Sequence, residues 1–351
     1  MKGPLKILSA IDIPWYSALA AYALEQARAL RDRGHAVTLA AAPGSRSHAA
    51  AVEEGFPFFP ITDRKRPLTP ALVLRLRSFL AREGFDVFCA HTGRTQTLAA
   101  LCALGRGGRP AIIRSKSDAS PSSAGLSSRP VAAFIAASGA VKRSYSGVPE
   151  DRIAVVPQGI EPPEFVPPPA EGPLRVGLLG RLDPVKGHAV LFKAAARLLE
   201  KYPGTRFVCA GKDANLTRGE LFALAEDLGI AASVEFPGQV PDPFAFINSC
   251  HIGVVASTGS EAVSRALLEW MACGRPAAAA AVGGIPEMLG AEWLFPPENA
   301  ARLAELLDPL LADPSLRESA GRANRKAAAE KFSRGLFAGL TERVFLSAVK
   351  A

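Results

Sequence analysis

The chain has 351 residues, 48% of them apolar and 21% charged, with a formal net charge of +8 at pH 7. That length is generous for one hydrophobic core and comfortable for two, and the composition excludes a disordered, collagenous or disulfide-scaffold protein. The positive balance favours anionic partners such as nucleotide phosphates, phospholipid headgroups or nucleic acid, without choosing among them.

In chain order, Lys6 to Ile11 reads as a strand, Ser17 to Arg33 as a helix stopped by Gly34, and His35 to Ala41 as the next strand. On that helix Leu19, Tyr22, Ala23, Gln26 and Leu30 share a face, all but Gln26 apolar. The apolar stretch from Ile7 is cut by Asp12, too early for a secretory segment. Arg64-Lys65-Arg66, followed by Leu68 to Arg82 with Arg75 and Arg77 among leucines, is a basic amphipathic segment. It suits either an anionic membrane surface or a solvated helix face. Further strands are predicted at Phe85 to Ala90, Ala111 to Arg114, Phe134 to Ala137 and Ile153 to Val156. Gln158 to Pro173 then carries Gly159 and repeated prolines and can continue neither element.

Beyond this linker, strands near Arg175, Phe207, Val234 and Val254 alternate with helices near Leu191, Ala223, Phe246 and Leu267, and Ser315 to Ala351 reads as wholly helical. Such alternation predicts an α/β protein with two doubly wound parallel sheets, whose ligands bind at the carboxyl ends of the strands. The expected domains are residues 1–158 and 174–330, joined by a linker over 159–173, with a terminal helix over 331–351. No apolar run reaches the roughly twenty residues of a membrane-spanning helix. Cys89, Cys102, Cys209, Cys250 and Cys273 are scattered without C-x-x-C spacing, which predicts a reducing compartment, hence a cytoplasmic location, and no structural zinc.

Glu261 and Glu269 lie eight positions apart. With a helix beginning near Ala262, that spacing places them roughly 12 Å apart along the axis. Glu261 then sits at a helix N-terminus, with the amides of Val263 and Ser264 turned to phosphate oxygens. Two surface acids on an ordinary amphipathic helix have the same spacing. A second cluster follows the apolar run Leu174 to Leu179: Gly180, Arg181, Leu182, Asp183, Pro184, Val185, Lys186 and Gly187, with helical periodicity from Ala189 to Leu199. Arg181 offers a planar fork and Lys186 a point charge, suited to the two phosphates of one diphosphate; a solvated basic turn is the alternative.

His91 follows the strand that ends at Ala90, facing the crevice and leading into Thr92-Gly93-Arg94, as a ligand contact or a structural cap. Trp15 and Tyr16 either stack on the flat face of a ligand or pack at the helix start. Gly211-Lys212 and Gly238-Gln239-Val240 are strand-end loops. There is no D-x-D pair and no His/Cys cluster with metal spacing.

The segment Ser260-Glu261, Arg265 to Glu269, Gly274-Arg275-Pro276, Gly283-Gly284 and Glu287 resembles the E-x7-E signature of retaining family 4 glycosyltransferases. The loop Gly180 to Gly187 is similar to the family's G-R-L-x-x-x-K-G motif. The family pattern has glycines where this chain has Ala262 and Ser264, and a Gly-Gly loop where it has Ile13 to Ser17.

The resemblance implies the GT-B architecture, two Rossmann-like sheets facing a cleft, with an N-terminal acceptor domain, a C-terminal donor domain and a last helix crossing back. It implies that Arg181 and Lys186 hold the donor diphosphate, Glu261 the sugar hydroxyls, Glu269 the ribose, and His91 the sugar near its anomeric centre. Gly180, Gly211, Lys212, Gln239, Val240, Ala262, Val263, Ser264 and Arg265 would line the donor site, and Trp15, Tyr16 and Arg94 the acceptor site. The expected partners are a nucleotide-diphosphate sugar and a glycan or lipid-linked acceptor at the inner face of a membrane, in bacterial cell-surface polysaccharide or lipopolysaccharide assembly. No metal cofactor and no nucleic acid are expected. A sugar-nucleotide epimerase and a non-catalytic sugar-nucleotide binder would share the architecture.

Overall fold

The computed structural model describes residues 3–15, 17–105, 110–259 and 261–350. In chain order it carries β1 (Lys6–Ile11), α1 (Ala18–Asp32), β2 (Ala36–Ala41), α2 (Arg46–Glu53), β3 (Phe58–Pro60), α3 (Pro70–Glu83), β4 (Val87–Ala90), α4 (Gly93–Ala103) and β5 (Ala111–Lys116). There follow β6 (Ser122–Ser123), β7 (Val131–Ala136), α5 (Gly139–Arg143), β8 (Tyr145–Ser146) and β9 (Ile153–Val155). The next stretch holds β10 (Arg175–Leu179), α6 (His188–Leu199), β11 (Arg206–Ala210), α7 (Arg218–Asp227), β12 (Val234–Gly238), α8 (Pro243–Asn248), β13 (Ile252–Val255) and α9 (Arg265–Ala272). The chain ends with β14 (Ala277–Ala280), β15 (Leu294–Phe295), α10 (Ala300–Ala312), α11 (Pro314–Lys331) and α12 (Arg334–Ala348). It divides into two compact units, Met1–Gly159 together with Arg334–Ala351, and Ile160–Ser333.

The first unit is built on a sheet ordered β3-β2-β1-β4-β5-β7-β9, every neighbour parallel. Parallel strands need crossovers on both faces, so β1 is buried along nearly its whole length and reads as a continuous apolar run. Ser17 caps α1 by accepting the Ala20 N–H, and Gly34, at φ 87°, turns the chain into β2. Gln26 lies on the buried face of α1, where its Oε1 accepts from Cys89 Sγ at 3.4 Å. The last helix, α12, packs on α1, with Tyr22 and Phe337 edge to face at 5.4 Å and the Tyr22 hydroxyl donating to the Val156 carbonyl at 2.7 Å. On α3 the apolar stripe of Leu72, Leu76 and Leu80 is buried inside this unit, and Arg75 is left outside.

The second unit has the sheet β12-β11-β10-β13-β14-β15, again parallel. Four residues of the alanine run, which carries no strand signal, form β14: they are buried, and α9 and α10 pack against the strand. The C-terminal stretch is not one helix. It breaks at Phe332 and Ser333, where the Ile160 N–H donates to the Phe332 carbonyl at 2.8 Å and Ile160 bridges Ser333.

Helix α9 is seated by one large side chain. Trp270 lies fully buried over Gly177 of β10 and Gly253 of β13, which face each other across the sheet. A Cβ on Gly253 would stand 2.3 Å from Trp270 Cδ2, and one on Gly177 2.6 Å from its Cη2. The indole therefore occupies space that two side chains would otherwise fill. Gly253→Ala is expected to lower stability by about 1–3 kcal/mol. Gly204→Ala, where an added Cβ meets nothing within 4 Å, should change it by less than about 0.5 kcal/mol. Urea unfolding of both variants checks this, and equal midpoints would refute the seating role of Trp270.

Candidate active site

In the second sheet, chain order reverses between β10 and β13, and open parallel sheets bind ligands in the crevice beyond the strand ends at such a point. The loops leaving these two strands meet there. Lys186 Nζ lies 2.6 Å from Glu261 Oε1, and the same oxygen accepts from Ser257 Oγ at 2.7 Å. The Thr258 N–H donates to the Val185 carbonyl at 2.9 Å, fastening loop to loop. Glu261 is only 6% exposed.

Glycine makes these approaches possible. Gly187, at φ +72°, would place a Cβ 1.9 Å from the Ala256 carbonyl oxygen, and Gly283, at φ +56°, would place one 1.7 Å from that of Glu261. Both positions reject L side chains on conformation as well as on space. The Gly284 N–H then donates to the Glu261 carbonyl at 2.8 Å. Across β11, a Cβ on Gly211 would stand 1.9 Å from the Gly180 carbonyl oxygen.

Arg181 donates from Nε to Asp183 Oδ2 at 3.0 Å, and its side chain is 53% exposed. Asp183 also accepts the Val185 N–H at 3.0 Å and Asn215 Nδ2 at 2.9 Å. Burial alone would raise the Asp183 pKa; the Val185 N–H and Arg181 carry it below the usual carboxylate value. His188 is buried, neither ring nitrogen has a hydrogen-bond partner, and burial pushes its pKa down to about 4.

The E-x7-E segment differs from its expected form. Helix α9 starts at Arg265 with Ser264 as N-cap, whose Oγ accepts the Leu267 N–H, so it begins three residues later than the sequence predicts. Glu261, Ala262 and Val263 precede the helix in the loop, and the separation of the two acids is not a helical rise. Ser260 lies outside the described residues. Glu269 sits on the helix, 4% exposed, and accepts from Arg265 Nε at 2.8 Å. Burial raises its pKa, against the pull of Arg265. At the neighbouring strand ends, the Gly211 N–H donates to the Gly238 carbonyl and the Lys212 carbonyl accepts the Leu182 N–H, both at 2.8 Å. The side chains of Lys212 and Gln239 are exposed, and Val240 is half-buried.

In the first unit the order reverses between β1 and β4, and the residues after these strands gather there. Asp12, fully buried, accepts from Thr92 Oγ1 at 2.8 Å and from Arg94 at 3.2 Å. Arg94 further donates to the Thr62 carbonyl at 3.0 Å, the Thr62 hydroxyl at 2.7 Å and the Arg66 carbonyl at 2.6 Å, so its guanidinium ties this unit's own loops together. His91 follows β4 as predicted but does not present an open ring to a crevice. It is fully buried, with Nε2 3.0 Å from Ser9 Oγ and 3.6 Å from Cys89 Sγ, and Nδ1 has no partner. Burial first, then the nearby Arg114 guanidinium, pushes its pKa down to about 3. Trp15 is 49% exposed, with the Arg64 guanidinium 6.0 Å from its ring centroid. Tyr16 lies outside the described residues.

Several polar groups escape the sequence reading. Asp12 registers there only as a break in an apolar stretch and Asp183 only as a loop residue, and Ser257 is not singled out at all. Asp183-Pro184 did hold a signal, an N-cap before a proline. Arg114 and Lys116, both buried, lie in the part of β5 that outlasts its apolar residues.

The comparisons agree with this geometry. The family model described as Glycosyl transferases group 1 matches residues 162–327, and that described as Glycosyltransferase Family 4 matches residues 19–163. A D-inositol 3-phosphate glycosyltransferase of Acidothermus cellulolyticus is 35% identical over 205 residues, covering 51% of this chain and 46% of that protein. The chain thus spans about half the length of such curated relatives. A glycosyltransferase structure from Rickettsia africae superposes with a TM-score of 0.86 at 16% identity, over 99% of this chain and 100% of that one. Anabaena HepE in complex with UDP does so with a TM-score of 0.84 at 18% identity, over 97% and 98%. The fold is that of the two-domain GT-B glycosyltransferases. The chain belongs to the group 1, or family 4, glycosyltransferase family. Among the described residues, no group of three or more His, Cys, Asp or Glu is arranged to hold a metal ion, and no helix is long and apolar enough to cross a membrane.

The imidazoles of His91 and His188, the most deeply buried of the histidines, make stability pH-dependent. Each is neutral in the folded state and must charge in acid, so the unfolded chain binds more protons between the ordinary imidazole value near 6.5 and the folded values of about 3 for His91 and about 4 for His188. Stability should therefore fall as pH drops from 6.5 towards 4. In a His91→Asn, His188→Asn double variant, thermal melts should show a flatter slope over that window; an unchanged slope would count against buried neutral imidazoles.

Proposed function

We propose that this protein is a retaining glycosyltransferase that moves a sugar from a nucleotide-diphosphate sugar to a glycan or lipid-linked acceptor without a metal ion. The observation that carries this reading is the contact of Lys186 with Glu261 at the switch point between β10 and β13. It holds a cation and a carboxylate where strand-end loops and the start of α9 supply further donors.

Departure of the nucleotide diphosphate builds negative charge. Arg181, with about half of its side chain open to solvent, Lys186, and the N–H groups at the start of α9 stabilise that charge. Before the donor binds, Glu261 keeps Lys186 aimed; the diphosphate then takes over as its counterion. Glu261 is a positioning group for sugar hydroxyls and not a nucleophile. Its Oε1 already accepts from Lys186 and Ser257, which drains the electron density an attack would need. Glu269, buried on α9, accepts from the ribose hydroxyls, and backbone groups near Gly211 and Gly238 read the base. His91, fully buried inside the first unit and neutral, is given no part in the transfer. The acceptor attacks from the face the diphosphate leaves, so the anomeric configuration is kept.

Lys186→Ala should lower kcat/KM by roughly 100-fold, about 3 kcal/mol of transition-state stabilisation, in a nucleotide-release assay across a panel of donors. Unchanged turnover of the true donor would sink the assigned role of Lys186. In the same assay, EDTA should leave the wild-type rate within about twofold, far from the several kcal/mol that loss of a catalytic metal costs; activity that requires a divalent ion overturns metal independence.

A further inference from the structure

The second unit holds a cavity of about 830 Å³ at the amino ends of its strands, the opposite end of the sheet from the candidate active site. Leu174, His251 and Pro276 line it and immediately precede β10, β13 and β14. Linker residues between Phe165 and Gly172 and side chains of α11 form its other walls. A volume of this order is that of an ordinary small-molecule site.

The walls are tethered. The Arg175 N–H donates to His251 Nδ1 at 3.1 Å, so the neutral ring donates from Nε2 to the Pro169 carbonyl at 3.0 Å. Arg275 donates to the Val166 carbonyl at 3.0 Å and Arg325 to the Pro163 carbonyl at 2.8 Å. Phe165 lies on Gly274, where an added Cβ would stand 3.2 Å from its Cε2, yet the residue is 49% exposed. Pro167, Pro168 and Pro169 beside it add apolar rings and no N–H donors.

Charge around the cavity is one-sided. Arg275, Arg317, Arg322 and Arg325 line it against a single carboxylate, Glu318, which accepts from Arg322. The other three guanidiniums meet backbone carbonyls: Arg275 that of Cys250 at 2.9 Å, Arg317 that of Leu310 at 2.7 Å and Arg325 that of Ala272 at 2.5 Å. Among the described residues Arg317 donates from Nη1 alone, although a guanidinium carries five N–H groups. Asp313 attracts Arg317 through space, but its Oδ1 accepts the Ser315 N–H. Burial lowers the His251 pKa; the bond to Pro169 opposes this, and Arg317, Arg275 and Arg175 push it further down. A free inorganic anion would leave the apolar wall in water, and a neutral apolar molecule would leave the guanidiniums without a counter-charge.

We propose that this cavity binds a dissolved amphipathic organic anion, with an apolar or aromatic body against Phe165 and the prolines and an anionic head on Arg317, Arg322 and Arg325. Guanidinium forks suit a phosphate or carboxylate head equally. The site is separate from the nucleotide crevice and does not rest on the transferase reading.

The test is fluorescence titration of the full chain with anilinonaphthalene sulfonate, whose fused rings and sulfonate combine both halves. One equivalent should bind per chain, equally in Lys186→Ala and in the presence of UDP. Decyl phosphate and decanoate, kept below micelle formation, should displace the dye, whereas inorganic phosphate and decanol at the same concentrations should not. Phe165→Ala and Arg322→Gln, both at exposed positions where folding is not at stake, should each weaken binding roughly tenfold, the worth of one good contact. Absence of saturable binding, displacement by UDP, equal displacement by decanol, or full affinity in both variants overturns the site. Binding to vesicles of phosphatidic acid without displacement by free decyl phosphate overturns it as well, since the face would then be a membrane contact.

Discussion

Backbone contact through glycine is the constraint on which the donor-side site depends. At Gly187, Gly211 and Gly283 a carbonyl oxygen occupies the volume that a Cβ would need. Each contact joins a loop from one strand end to a loop from another: Ala256 to the turn after Lys186, Gly180 to the turn after β11, and Glu261 to the turn after β14. A methyl group at any of the three would have to push peptide against peptide, and a backbone packed on both sides has nowhere to go. Lys186 immediately precedes one of these glycines and Glu261 supplies the carbonyl at another, so their 2.6 Å contact is set by main-chain geometry before any side-chain rotamer is chosen.

Charge is balanced in the same two ways in both units. On the donor side the buried carboxylates each meet a cation, Glu261 with Lys186, Asp183 with Arg181 and Glu269 with Arg265, whereas the buried Arg275 guanidinium donates to the carbonyls of Cys250, Val166 and Asn248. A ligand that enters must exchange with these partners, which lowers its net gain but leaves the cations aimed in its absence. In the first unit Asp12 is matched by Thr92 and Arg94, whereas Arg114 is not matched by any carboxylate among the described residues. A buried guanidinium held by carbonyl oxygens alone thus occurs in each unit.

The fold was largely legible because alternating strands and helices with buried parallel strands leave a strong hydropathy pattern; Lys6 to Ile11 and the Gly180 to Gly187 loop were placed correctly from it. The failures have particular causes. The start of α9 was set too early because Ala262 and Val263 are apolar and suit a helix, while the better signal, Ser264 as N-cap, competed with an appealing spacing of two acids. The alanines of β14 carry no β-propensity, and only their packing against α9 and α10 makes them a strand. β5 outlasts its apolar residues because pairing with β7 continues to Lys116, which hydropathy cannot show. The burial of His91 depends on Ser9 and Cys89 from neighbouring strands, a contact between distant positions.

The first unit is discontinuous in the chain, since it is completed only by Arg334–Ala351. Phe337 and Phe345 of α12 are fully buried there, and Arg334 pairs with Glu25 and Asp32. During synthesis the amino-terminal sheet therefore emerges first yet lacks its last layer until residues 334–351 follow, while the whole of the second unit can form in the interval. The usual order, in which the amino-terminal domain finishes first, is reversed. A chain broken off before residue 334 would carry a finished donor-side unit and an apolar face of α1 left uncovered, which is the form that chaperones and proteases act upon.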